Sequence, residues 1–237
     1  MGVEYMDYIV ADPIVIPEGD QVHYVEKIVY FPGSYQVNDT KRKIADKMFT
    51  LKELGLPVVG FVFCCFNNSY KITPATFESW MRILKKVKGS VLWLFEDKDV
   101  VADNLCKEAC RRSVADLFLD TPLYNAHTTA SDTLWARLPL ITCAGGAYAS
   151  RVAARLLSAV DMPELIAATL AAYEALAIEL ASSPARLIQI KQKLERNRSS
   201  APLFNTALFA RNIENAYVQM YERFHAGLPP DHIHVTG

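Results

Sequence analysis

His127, Thr128, Thr129 and Asp132 lie in the stretch LDTPLYNAHTTASDTLWARLP (Leu119 to Pro139), where an apolar run gives way to a helical pattern. A helix that begins at Thr128 and Thr129 presents backbone N–H groups with no acceptor inside the helix, together with the positive end of its dipole. An anion is stabilised at such a point, and the two threonine hydroxyls add donors. His127, just outside the helix, can donate to a phosphate or a sugar oxygen. Asp132, one turn in, is badly placed for phosphate and suits the hydroxyls of a ribose. A second polar stretch, NNSYK, follows the apolar run VVGFVFCCF and supplies Lys71, a mobile cation, and Asn68, an amide donor. Together the six residues describe a site for a nucleotide diphosphate. Singly, each also fits a plainer role: Thr128 an N-cap, His127 a structural or solvated imidazole, Lys71 a surface lysine.

The elements that must carry these residues follow from hydrophobic spacing. Val58–Phe66 is a continuous apolar run, suited to a strand buried on both faces. Thr73 can cap a helix with Pro74 at its first position, Phe77, Trp80, Met81, Leu84 and Val87 recur at helical spacing, and Gly89 ends the helix. Ser90–Phe95 is expected as a second buried strand, Asp103–Arg112 as a helix and Val114–Asp120 as a third strand. The cycle continues with a helix from about Thr129, a strand at Pro139–Cys143, the turn AGGAY and a helix from Ser150. Further helices are expected at Leu165–Leu180, Pro184–Arg196 and Thr206–Ala226. This alternation predicts an α/β fold, a parallel Rossmann-like sheet followed by C-terminal helices. In such a sheet ligands sit beyond the carboxyl ends of the strands, which is where both polar loops fall. Residues 1–57 are heterogeneous. Tyr8–Pro17 and Glu26–Pro32 are short runs cut by prolines and read as edge strands or extended linkers. The chain is thus expected to divide into 1–57, without a fold of its own, and 58–237, a nucleotide-binding lobe with a helical tail.

Composition narrows the function further. A net charge of -1 gives no reason to expect broad binding to nucleic acid or to an acidic membrane, so an anion site must be local. The five cysteines contain no CxxC pair, which argues against a disulfide framework or a zinc knuckle and for reduced, buried thiols in a cytoplasmic protein. No apolar run reaches the roughly 18 residues that span a bilayer, and the N-terminus lacks a signal pattern. The pair His232 and His234 has no third ligand in register and reads as part of a terminal tail. Trp80, Trp93 and Trp135 fall at apolar positions and are assigned to packing.

The segments FVFCCFNNSYKITPATFESWMRILKKVKGSVLWLF, ADLFLDTPLYNAHTTASDTLWARLPLIT and SAPLFNTALFARNIENAYVQMYERFHAG resemble the C-terminal catalytic lobe of the protein O-GlcNAc transferases, in wording most of all the bacterial branch usually carried on tetratricopeptide repeats. MDYIVADPIVIPEGDQVHYVEKIVYFPGSYQVND resembles the stretch by which that family's N-terminal catalytic lobe reaches the other lobe. The resemblance implies a GT-B glycosyltransferase that transfers N-acetylglucosamine from UDP-GlcNAc to Ser or Thr hydroxyls of a protein acceptor, with no metal or other cofactor. It implies that Lys71 holds the β-phosphate and stabilises the departing UDP. Asn68 stands where the family usually has glutamine, His127, Thr128 and Thr129 bind the diphosphate and sugar, and Asp132 binds the ribose.

Three departures from the family pattern are visible. The repeats and nearly all of the N-terminal lobe lie outside this sequence, which leaves a separate polypeptide as their expected source. It also leaves an alternative reading, an inactive remnant that binds a nucleotide diphosphate weakly or serves as an interaction domain. Between CKEACRRS and VADLFLD the family usually has another strand and helix that carry uracil-binding groups; here about 21 residues separate Phe95 from Leu117, room for one crossover helix. Arg137 stands where the family favours glycine, at a cost of about 1 kcal/mol if the position has positive φ, and Gly146 stands where an acidic residue is common.

Overall fold

The computed structural model describes residues 5–38, 50–94 and 114–236. Its strands are β1 (Tyr8–Ala11), β2 (Lys27–Tyr30), β3 (Val62–Cys65), β4 (Val91–Leu94), β5 (Leu117–Leu119), β6 (Leu140–Cys143), β7 (Ile166–Ala167) and β8 (Ile233–His234). Its α-helices are α1 (Pro74–Lys86), α2 (Thr128–Trp135), α3 (Val152–Ala159), α4 (Leu170–Ser182), α5 (Pro184–Arg198) and α6 (Thr206–His225). Contacts divide the chain into two units, Met1–Thr40 with Ser200–Gly237, and Lys41–Ser199. This division differs from the expected boundary at residue 57. The last helix, read as a tail of the nucleotide lobe, packs instead on strands from the other end of the chain.

The first unit is a parallel sheet in the order β1-β2-β8. Phe209, Ile213, Ala216 and Met220 recur at helical spacing along α6 and pack with Val29, Phe31, Ile233 and Val235. Asn205 caps that helix, accepting from the Leu208 amide at 2.9 Å. The Glu26–Pro32 run is therefore not an edge: β2 is central because β8 joins it from some 200 residues away. The C-terminal histidines belong to this sheet rather than to a loose tail. His232 Nδ1 accepts from the Ile28 amide at 3.0 Å, and His234 stacks on Tyr30 with 4.8 Å between ring centroids.

The second unit holds a parallel sheet in the order β4-β3-β5-β6-β7. From β3 the chain steps to β4 on one side, then returns to place β5 on the other. That reversal is the switch point at which an open sheet leaves a crevice, and it lies between β3 and β5. All four residues of β3 are buried, whereas β4, which among the described residues pairs with β3 alone, is half-buried along its length. Val58 and Val59, counted in the apolar run, are exposed, since the chain is still turning there. Gly60 has φ 132°, and a Cβ on it would lie 2.2 Å from the Gly89 carbonyl oxygen, so only glycine fits that crossing.

Local signals set the helices. Thr73 accepts from the Thr76 amide and Pro74 opens α1, while Gly89, at φ 76°, follows its end. Trp80 and Ile83 are fully buried against α4, although Phe77, expected on the same face, is 44% exposed. Thr169 caps α4, which begins at Leu170 and not at Leu165. The preceding residues form a short 3-10 turn and β7, which extends the sheet beside β6. Cys64, Cys65 and Cys143 are buried free thiols. The expected helix Asp103–Arg112, with Cys106 and Cys110, and the proposed loss of a strand and helix before β5 lie outside the described residues. Among the described residues no helix is long and apolar enough to cross a membrane.

Candidate functional site

Three loops meet at the carboxyl ends of β3, β5 and β6, and Asp120 ties them together. It follows β5 directly and is fully buried. Its Oδ1 accepts from the Ala126 amide at 2.7 Å and from Asn67 Nδ2, just past β3, at 3.3 Å. Its Oδ2 accepts from Thr142 Oγ1, on β6, at 2.7 Å. Asn67 Nδ2 also donates to Thr121 Oγ1 at 2.8 Å, and that hydroxyl donates to the Tyr124 carbonyl at 2.6 Å. Asn125 closes the loop: its Nδ2 donates to the Thr121 carbonyl, its backbone N–H to the Ala149 carbonyl, and its Oδ1 accepts from the Ala153 amide. From below, Trp80 Nε1 donates to the Tyr173 hydroxyl, which donates to the Asp120 carbonyl at 3.0 Å. The segment 120–127 is thereby held in one conformation by buried bonds, the kind of preorganisation a binding loop requires.

Onto this loop Lys71 reaches from a 3-10 turn, Ser69–Lys71, after β3. Its Nζ donates to the Asn125 carbonyl at 2.9 Å and sits 4.1 Å from the centre of the Tyr124 ring, a hydrogen bond and a cation–π contact together. The His127 ring stacks on the same tyrosine, with 5.3 Å between centroids and 13° between planes. The structure thus brings Lys71 and His127 together at the start of α2. Thr128 and Thr129 are the first two residues of that helix, and the earliest intrahelical bond at its start runs from the Ser131 amide to the His127 carbonyl. The amides of residues 128–130 therefore have no acceptor within the helix. Thr128 as a plain N-cap does not occur: His127 holds the cap position, with no side-chain cap bond. Asn68 begins the Lys71 turn with its side chain exposed, and Asp132 is half-buried one turn into α2.

The electrostatics follow from burial. Burial holds the Lys71 ammonium below the ordinary lysine range, against the charge of Asp120, which favours the cation. Burial, and then the neighbouring Lys71 charge, hold the His127 imidazole below its ordinary value, opposed by a hydrogen bond to the Ala149 backbone. Burial pushes Asp120 up to about 6 from 3.8, although the donors from Ala126, Thr142, Thr121 and Asn67 all favour its charged form. Among the described residues no group of three His, Cys, Asp or Glu side chains is placed to hold a metal ion. Four organising residues, Asn67, Asp120, Tyr124 and Asn125, are absent from the sequence-based set. One signal was available, a carboxylate closing the apolar run LFLD; the others act through partners that only the folded loop supplies.

This geometry can be set beside known proteins. The sequence model described as Glycosyl transferase family 41 matches residues 45–110 and 96–213. A probable UDP-N-acetylglucosamine–peptide N-acetylglucosaminyltransferase SEC of Arabidopsis thaliana is 36% identical over 262 aligned positions, covering 99% of this chain and 27% of that protein. A UDP-N-acetylglucosamine–peptide N-acetylglucosaminyltransferase of Caenorhabditis elegans is 36% identical over 200 positions, covering 75% of this chain and 17% of that protein. The chain thus spans about a quarter or less of the length of these relatives. Among solved structures, a mutant O-GlcNAc transferase of Thermobaculum terrenum superposes with a TM-score of 0.71 at 26% identity, covering 91% of this chain and 45% of that one. With the family pattern running through both site loops and a GT-B relative matching nearly the whole chain, this protein belongs to glycosyl transferase family 41.

Proposed function

We propose that this chain is the donor-binding lobe of a transferase that moves N-acetylglucosamine from UDP-N-acetylglucosamine to Ser or Thr hydroxyls of proteins. One observation carries the reading: at the switch point between β3 and β5, the Lys71 ammonium rests on the loop that opens α2, whose first amides lack intrahelical acceptors. In this reading Lys71 turns from the Asn125 carbonyl to the β-phosphate, and the amides and hydroxyls of Thr128 and Thr129 take the remaining diphosphate oxygens. Asn68 adds an amide donor from the Lys71 turn, His127 contacts the diphosphate–sugar junction, and Asp132 accepts from the ribose hydroxyls. In the reaction the acceptor oxygen forms a bond to the sugar C1 and passes its proton to a general base on the acceptor side of the cleft. The bond from C1 to the β-phosphate oxygen breaks, and its electron pair stays on UDP. Negative charge therefore grows on the leaving diphosphate, where donors already in place stabilise it without reorganising.

Calorimetric titration of the purified chain with UDP and with inorganic diphosphate tests this. The wild type is expected to bind both, and Lys71→Met to weaken UDP by about ten- to a hundredfold, the range of one charge-assisted bond. No binding by the wild type, or equal binding by the variant, overturns the site. Transfer to an acceptor peptide is the second measurement. UDP binding without transfer selects the narrower reading, a lobe that holds the donor and needs another polypeptide for the acceptor.

A further inference from the structure

The chain's closing stretch DHIHV alternates in character, so in an extended strand His232 and His234 share one face and Ile233 and Val235 the other. The apolar pair is buried with Val29, Phe31 and Ala216. Only Ile233 and His234 pair with β2, so bonds just outside β8 carry much of its hold. After the strand, the Val235 amide donates to the Tyr30 carbonyl at 3.0 Å. Before it, a side chain makes the bond. The Lys27 and Phe31 amides donate to the Asp7 and Ala11 carbonyls on the β1 side. Amides alternate in direction along a strand, so the Ile28 amide points the other way, and His232 Nδ1 accepts from it at 3.0 Å. Ile28 is fully buried, so loss of that acceptor leaves its N–H unpaired away from water.

An imidazole nitrogen that accepts carries no proton. The neutral His232 ring therefore holds its proton on Nε2, and a second proton puts an N–H on Nδ1, facing that of Ile28. The bond and the imidazolium exclude each other. His232 is half-buried, within reach of protons from solvent. The charged and titratable groups around it are Lys27 on β2, its neighbours Asp231 and His234, and Arg223 on α6, which pairs with Asp231 at 3.6 Å. Burial, then Lys27 and more weakly His234, hold the ring below its ordinary 6.5, against Asp231.

We propose that His232 is a pH-responsive latch on the C-terminal strand: the neutral ring holds β8 to β2 through the Ile28 amide, and protonation releases it. The latch uses none of the donor-site residues. Release leaves the outer edge of β2 unpaired and withdraws Ile233 and Val235 from the cluster on which α6 packs. Because the folded ring resists its proton more than the detached one, the latch is fully closed above about 6.5 and is lost as pH falls through the lower, folded value.

The test follows amide hydrogen exchange of the full chain by NMR, with the intrinsic pH dependence of exchange divided out. From about pH 7.5 to about pH 5.5, protection at Ile28 and Val235 is expected to fall roughly five- to tenfold, the range set by a detached imidazole of ordinary affinity. Phe31, bonded on the β1 side, is expected to stay within about twofold. His232→Asn, whose Oδ1 stands in for Nδ1 and does not titrate, should keep the neutral-pH protection of Ile28 and lose its pH dependence. His232→Leu should show low protection there at both pH values, and His234→Gln should keep the wild-type fall. Long-range proton–nitrogen NMR is expected to place the proton of the neutral His232 ring on Nε2. Unchanged protection in the wild type overturns the latch, as does an equal fall at Phe31 or in His232→Asn. So does full protection in His232→Leu, loss of the fall in His234→Gln, or a proton found on Nδ1.

Discussion

Asp120 closes an apolar strand, out of contact with water, and its carboxylate accepts from the Ala126 amide, Asn67 and Thr142. Burial outweighs those donors and sets its pKa at about 6, so the folded state disfavours the ionised form relative to the unfolded chain. The stabilising contribution is then fully present below the unfolded value of 3.8 and is lost as pH rises through about 6. A shift of roughly two units corresponds to a change on the order of 3 kcal/mol. In Asp120→Asn the titration is gone, and an amide nitrogen in place of Oδ2 can donate to the Thr142 hydroxyl. The stability of the wild type relative to this variant should therefore fall between pH 4 and pH 7, read from denaturant unfolding at each pH. A gap that stays constant would mean the surrounding donors keep Asp120 ionised throughout. At this scale the sequence showed Lys71 and His127, because their types and their places beside a strand end and a helix start are local facts. Asp120 looked like the last residue of a strand, since its donors come from β6, the end of β3 and its own loop.

The eight-residue helix α2 carries the candidate site at one end and strain at the other. Its start was legible from the polar residues that open it. Its finish is a Schellman motif: the Arg137 amide donates to the Leu134 carbonyl and the Leu138 amide to the Thr133 carbonyl, both at 3.1 Å. That geometry requires a left-handed residue, and Arg137 adopts φ 66°, where a side chain costs about 1 kcal/mol or slightly more over glycine. Its guanidinium is paired with Glu195 at 2.8 Å, with both side chains about half-exposed, and such pairs contribute little. Arg137→Gly should accordingly be more stable than Arg137→Ala by about 1 kcal/mol, since both lose the ion pair and only glycine loses the strain. Equal thermal unfolding free energies for the two would show that the left-handed turn is not strained. Both two-residue strands, β7 and β8, were missed from sequence, and β7 shows why. Its two residues sit inside an apolar, alanine-rich stretch whose pattern continues into α4, and they become a strand only because β6 offers an edge.

Across the whole molecule, the pairing that local pattern could not show joins residues near the two ends of the chain. The Ile28 amide donates to His232 Nδ1, and the Val235 amide to the Tyr30 carbonyl. A chain lacking residues 229–237 should lose hydrogen-exchange protection at Ile28 by about tenfold, as expected for the loss of one net hydrogen bond. Unchanged exchange there would mean that β8 adds nothing to the sheet. The amino-acid sequence by itself determined the α/β class, most strands and helices, and the two polar loops that hold the candidate site. Those are properties of neighbours a few residues apart: apolar spacing, an N-capping threonine, a terminating glycine. Tertiary structure alone decided that β3 lies between β4 and β5, that β8 completes the first sheet, and that Asp120 and Tyr124 organise the site. These depend on groups brought together from about 20 to 200 positions apart, where burial and the closure of long loops select the partner and adjacency in sequence says nothing.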